Sequence, residues 1–191
     1  LQAVSYKNIK IHDNDKVISF AHKQTKVDLG PVVKGYAIDK ALELFRNSGL
    51  TNVCMNYGSM SRMLNTPSGK DAWKVGVPHP LKEDAIVGVL HLMNQGVAFV
   101  GDYSRYPTVQ DKFYMHMVDP RTGRPAENEN LAVIATTPTA EEAGVVATVI
   151  FVKGTKEREK LATIFPDTEW LIVSDKPQHS IVLEGSPGMM E

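Results

Sequence analysis

Within twelve residues, Tyr114 to Pro125, the string Y-M-H-M-V-D-P-R-T-G-R-P begins a strand and then forbids it to continue. Tyr114 to Val118 alternates as a strand does. Asp119, Pro120, Thr122 and Gly123 then supply turn chemistry that ends pairing and turns polar groups into a cleft. His116, placed just before that turn, reaches the same ligand as the turn's own amides. Taken singly, each residue reads as a buried histidine beside an ordinary Asp-Pro loop; as one string they read as a site.

The rest of the chain is short strands punctuated by glycine and proline. Residues 5 to 21 predict a hairpin around Asn14-Asp15. Val27 to Asp39 reads as a strand end, a Gly30-Pro31 break, then a helix opened by Lys34-Gly35. Ala37, Ile38, Ala41, Leu42 and Phe45 recur at helical spacing, and Asn47-Ser48-Gly49 closes the helix with a left-handed cap. Such a helix start offers free N–H groups to a phosphate, with Lys34 as counter-ion. Two strands flank Gly58-Ser59 between Leu50 and Asn65, and Trp73 to Val77 is a strand stopped by Pro78 and Pro80. Ala85 to Met93 is expected to pair with Val97 to Val100 through Asn94-Gln95-Gly96. Gly101 to Tyr106 follows as a loop whose polar and aromatic side chains suit a pocket or a plain surface equally. Leu131 to Thr136 is a strand, and Thr139-Ala140-Glu141-Glu142 is a capping box. The helix after it turns Ala143, Val146, Ala147 and Ile150 inward and leaves Thr148 beside that stripe. A charged helix over Lys156 to Ile164, strands at Trp170 to Val173 and Ser180 to Leu183, and a loose tail from Gly185 complete an α+β pattern of mixed and antiparallel sheets with a few packed helices.

At 191 residues and 42% hydrophobic content the chain can bury one core, so residues 1–191 read as a single domain. A net charge of -1, from 21 basic and 22 acidic residues, gives no basic excess for nucleic acid or an anionic membrane. Cys54, the one cysteine, excludes an internal disulfide and reads as inert core. No run approaches the roughly 20 apolar residues of a transmembrane helix.

Three ordered pieces resemble the FAD:protein FMN transferase family, also called the ApbE or thiamine-biosynthesis-lipoprotein family. They are D-L-G-P-V-V-K-G-Y-A-I-D at 28 to 39, G-D-Y-S-R at 101 to 105 and H-M-V-D-P-R-T-G-R-P at 116 to 125; W-K-V-G-V-P-H-P at 73 to 80 and A-G-V-V-A-T at 143 to 148 add to them. The resemblance implies a T-fold-related, ApbE-like architecture. It also implies magnesium-dependent transfer of FMN from FAD to a threonine or serine hydroxyl of an acceptor protein, such as a subunit of a membrane redox complex. The setting is the bacterial cell envelope or periplasm, often as a lipoprotein whose export signal is not in this chain. Cleaving a pyrophosphate requires neutralised phosphate charge and a deprotonated hydroxyl. On this basis His116 is the candidate general base or phosphate partner. Asp28, Lys34, Gly35 and Asp39 would hold the nucleotide, Asp102, Tyr103 and Arg105 would line the pocket, and Asp119 with Thr122 would fix the turn beneath the phosphates.

The departures from the family pattern bear on the metal. Family members place an aspartate four residues before a threonine, so that two oxygen ligands share one helix face. Here Thr148 is kept and the aspartate position is Gly144; the remaining ligand would be the Val33 backbone carbonyl. Magnesium binding should weaken unless Glu141, Glu142 or a substrate phosphate substitutes. Phe99 and Val100 replace small hydroxyl residues, Pro31 replaces a glycine, and Gly58-Ser59 replaces a glycine pair, changes expected to narrow the flavin slot. The family's usual amino-terminal part is not ahead of Leu1. Two alternatives to a working transferase follow: an impaired or inactive flavin-nucleotide-binding member, and an interaction domain that keeps only the fold.

Overall fold

The computed structural model describes residues 2–14, 16–82, 84–101, 117–126, 130–154, 158–176, 180–186 and 189. The first hairpin pairs β1 (Ile9–His12) with β2 (Val17–Phe20), as its alternation predicts. The register sets Ile9 opposite Phe20 and Ile11 opposite Ile18, and Ile11, Ile18 and Phe20 stay exposed. Helix α1 spans Gly30–Asn47, and Gly49 beyond it takes a φ of 87°, the left-handed closure that Asn-Ser-Gly implies.

Six strands form the central sheet: β3 (Val53–Tyr57), β4 (Met60–Leu64), β7 (Gly96–Gly101), β10 (Asn130–Thr137), β11 (Glu169–Lys176) and β12 (Ser180–Gly185). Their order is β12-β11-β10-β7-β4-β3, and every neighbouring pair is antiparallel. Strands β5 (Trp73–Pro78) and β6 (Ile86–Leu92) make a separate hairpin, and β8 (Val118–Asp119) with β9 (Arg124–Pro125) a minimal one. Helices α2 (Ala140–Lys153) and α3 (Arg158–Ile164) complete the elements.

The sheet is covered on both faces, and the period of two divides its side chains between two cores. Ala98, Val100, Val133 and Ala135 face α1 and α2, packing with Ile38, Leu42, Val146 and Ile150. Val97, Ala132 and Ile134 face the other way, against Val77, Leu90 and Leu92 of the β5–β6 hairpin. Central strands buried twice over must be nearly continuous apolar runs. V-A-F-V and L-A-V-I-A are such runs.

Several expectations change here. Strand β6 pairs with β5 and not with β7, because β10 and β4 occupy the two edges of β7 while the β5–β6 hairpin lies across the sheet face. Asn94, with φ of 55°, turns the chain between those layers, and its side chain accepts from the Asn65 amide at 2.7 Å. Cys54 lies exposed on edge strand β3, outside the core; partial shielding pushes its thiol up, so it stays protonated. Met189, in the stretch expected to be loose, is buried in the hairpin-side core. Phe99 packs against that same core and Val100 is buried in the helix-side one.

Two glycines set the spacing between layers. A Cβ at Gly35 of α1 would lie 2.5 Å from the Glu141 Cα, and one at Gly96 of β7 would collide with Thr139 and Ala140 backbone. Those neighbours are main chain and have no rotamer to yield. Gly35→Ala and Gly96→Ala should each lower stability by about 1–3 kcal/mol, the range for overpacking a fixed interface. Urea midpoints check this; unchanged midpoints would mean that the helices approach less closely than described.

Candidate functional site

The N-terminus of α2 is capped twice, from its own chain neighbour and from α1. Thr139 caps it as the sequence predicts, its hydroxyl accepting from the Glu142 amide at 3.2 Å. A second cap comes from another helix: Asp39 of α1 accepts from the Ala140 amide through Oδ1 and the Glu141 amide through Oδ2, both at 3.0 Å. Arg62 of β4 closes the arrangement, donating through Nη1 to Asp39 Oδ1 at 2.7 Å. Gly35 and Asp39, four residues apart, share one face of α1, the first letting α2 approach and the second capping it. The resemblance assigns both residues to a nucleotide. In the structure both are buried, with protein as their neighbour.

The start of α1 also differs from expectation. It begins at Gly30, a full turn before Lys34-Gly35. Its first amides are already engaged: Gly30 donates to Asp28 Oδ1 at 2.8 Å, Val32 and Val33 to the Leu29 carbonyl at 2.9 and 2.8 Å, and Pro31 has no N–H. The predicted phosphate seat on those amides is therefore filled by the chain itself. Asp28 is exposed just ahead of the helix, its side chain turned back onto the Gly30 amide. Lys34 is exposed one turn in, its ammonium 3.9 Å from where a Cβ of Gly58 would stand.

The turn from Asp119 to Pro125 is built as the string implies. The Asp119 carbonyl accepts from the Gly123 amide at 2.8 Å and the Thr122 amide at 3.2 Å, and Gly123 takes φ of 69°. The Thr122 hydroxyl accepts from the Arg124 amide at 3.2 Å. The Asp119 carboxylate binds Arg121 three ways: from the backbone amide at 2.8 Å, from Nε at 2.9 Å and from Nη2 at 2.6 Å. These donors hold the Asp119 carboxyl below the usual carboxylate range, the Arg121 side chain contributing most and its amide next. Between this turn and the last turn of α2 lies an open cleft of about 420 Å³, lined by Arg121, Thr122, Arg124, Val152 and Lys153 beside Asp119. The three basic side chains were not singled out from the sequence. Two stand inside the quoted string, R-T-G-R, and the third was hidden as an ordinary helix-end lysine.

Gly144, Thr148 and Val152 succeed one another at four-residue steps on α2, so the face expected to hold a metal runs into this cleft. A magnesium ion needs oxygen ligands carrying negative charge. Gly144 supplies none, and the Thr148 hydroxyl donates to the Gly144 carbonyl at 2.8 Å. Val33 is an exposed residue inside α1. Among the described residues no three histidine, cysteine, aspartate or glutamate side chains gather into a metal cage. The described groups thus do not fit a magnesium ion. His116, Asp102, Tyr103 and Arg105 lie outside the described residues; the described chain resumes at Met117, which packs against the helix-side core.

The sequence profile of the ApbE family matches residues 1–172. The FAD:protein FMN transferase of Salmonella typhimurium is 29% identical over 136 residues, covering 71% of this chain and 39% of its own. One from Klebsiella pneumoniae is 30% identical over 138 residues, covering 71% and 39%. The crystal structure of the ApbE protein from Thermotoga maritima superposes with a TM-score of 0.84 at 29% identity, over 97% of this chain and 60% of that one. The flavin transferase ApbE from Vibrio cholerae, at 20% identity, shares the fold with a TM-score of 0.81 over 97% and 58%. The chain spans about two fifths of the length of the curated relatives it matches.

Two outcomes follow from the clasp and the turn. Asp39→Ala removes the side-chain acceptors of two backbone amides and leaves the Arg62 cation without its carboxylate, which should cost roughly 2–4 kcal/mol in a urea titration. Asp119 has its folded value depressed, so its contribution is present above the unfolded value near about 3.9 and is lost as pH falls through the folded one. Melting curves from about pH 5 down to about pH 2 should therefore fall more steeply for the parent chain than for Asp119→Asn; parallel slopes would count against the depressed carboxyl.

Proposed function

Because the chain belongs to the ApbE family, we propose that it carries the flavin-handling part of an FAD:protein FMN transferase, moving FMN from FAD to a threonine or serine hydroxyl of an acceptor protein. In the reaction, the acceptor oxygen attacks the FMN phosphorus, the bond to the bridging pyrophosphate oxygen breaks, and AMP leaves. The hydroxyl proton needs a base, and His116, next to the turn at Asp119, is the group we assign to it. By the motifs they match, we assign Asp102, Tyr103 and Arg105 to the nucleotide, together with Asp28, just ahead of α1, and Lys34, exposed on that helix. The observation that carries the reading is the Asp119–Pro125 turn, assembled on the end of α2 directly after His116, within the stretch that matches the family.

We assign the acceptor to a redox complex at a bacterial membrane and the protein to the cell envelope, the setting in which such transfer has a substrate. Magnesium enters this reading only weakened, since the described groups do not fit it. Gly144 also favours a second reading, a flavin-nucleotide-binding member impaired in transfer.

Incubation with FAD, a divalent cation and an acceptor domain, followed by intact-mass measurement, should show a gain of one FMN. His116→Ala should reduce the rate by a factor on the order of 100 or more, the usual loss of a general base. Gly144→Asp should raise the rate in magnesium. FAD binding with no mass gain under any cation would leave the impaired member as the reading.

A further inference from the structure

The geometry points to a cleft that receives the phosphates of its ligand directly, on Arg121, Arg124 and Lys153, with no divalent cation at the Gly144 and Thr148 position. This rests on the flavin-nucleotide reading for its ligand and goes beyond it in how the negative charge is met. Among the described residues, three positive side chains and one carboxylate line the cleft, a formal excess of two positive charges over those four. The carboxylate, Asp119, is held by Arg121 at 2.6 Å, which fixes the guanidinium at the rim as well as the turn. Arg124 is exposed on β9, where the β8–β9 register sets it opposite Asp119. Lys153 stands in the last turn of α2, a place where a cation also answers the helix dipole, and its charge reaches Asp119 across the cleft. Val152 supplies the one aliphatic wall from α2.

A diphosphate needs about the charge that this rim offers. Guanidinium groups present planar donors suited to phosphate oxygens, and an ammonium serves as a point charge. The helix face that should have carried the metal's carboxylate leads into the same cleft, one turn per step from Gly144 to Thr148 to Val152. The phosphates thus meet cations that are part of the chain, two of which, Arg121 and Arg124, stand in the string shared with the family.

Calorimetric titration of the whole chain with inorganic pyrophosphate, ADP and FAD, each with EDTA and with magnesium, tests this. Affinities should agree within about twofold between the two conditions, weaken with added salt, and fall about tenfold or more in the Arg124→Gln, Lys153→Gln double variant, a loss of about 1.4 kcal/mol or more. Melting curves of that variant check that it remains folded, and Arg124→Lys should recover part of the affinity. Binding that requires magnesium overturns the proposal. FAD binding that is indifferent to the double variant overturns it too while leaving the flavin reading intact. Pyrophosphate binding that obeys these rules without any FAD binding keeps the cleft and removes the flavin. No binding of any of the three removes both.

Discussion

The carboxylate of Asp39, set on the first amides of α2, is the interaction on which the arrangement of the layers depends. A helix leaves its first N–H groups without partners, and burying that end under a second helix and a sheet requires acceptors there. Thr139 supplies one from the chain itself; Asp39 supplies two from 101 and 102 residues away. The negative charge is in turn compensated by Arg62 from β4, so one carboxylate ties two helices and the sheet together. Gly35 and Gly96 remove the side chains that would hold these backbones apart. The clasp fixes the beginning of α2, and a rigid helix carries that placement along to Thr148, Val152 and Lys153.

From that anchor the functional geometry follows by simple rise and rotation. The buried stripe of α2, from Ala143 through Ile150, seats on β7 and β10. Its flank then passes Gly144, Thr148 and Val152 and reaches the turn of β8 and β9. The turn itself is stabilised locally, by Arg121 on Asp119 and by two amides on one carbonyl, so its shape does not wait on a ligand. A site assembled from a helix end and a self-closed turn is preorganised on both sides, which favours holding a charged group in place over adapting to it.

Sequence patterns disclosed those parts of the fold whose causes are local. The Thr139 hydroxyl cap, the left-handed closure at Gly49 and the hairpin at Ile9–Phe20 each depend on neighbours within a few residues, and all are present. The partner of β6 was not legible, because alternation tells which side of a strand is apolar and is silent about which strand lies beside it. Gly-Pro reads as a break and so places the start of α1 a turn too late, although proline in a first helical turn is well tolerated. The nucleotide role of Asp39 comes from the resemblance alone, and its protein partners leave no local sign because they are far off in sequence, Arg62 at 23 residues and Ala140 at 101. Likewise Lys153 gave no local sign; only the fold brings it to the turn at Asp119.

The same contrast bears on how a motif should be interpreted when one of its members is replaced. A glycine in place of a metal-binding aspartate removes charge at one point of a helix face, and in isolation that would leave the neighbouring phosphate seat less favourable by the full interaction with the lost cation. Whether the site survives depends on positive charge arriving by another route within roughly a Debye length, about 8–10 Å at ordinary ionic strength. Arg121, Arg124 and Lys153 are gathered at the cleft to which that face leads, and none of them is drawn there by the metal motif itself. Fixed side-chain cations differ from a bound ion in one respect that matters for chemistry. They neutralise and orient phosphate, yet they polarise a P–O bond less than a small divalent ion does, so such a site keeps its grip on a nucleotide more readily than its rate of transfer.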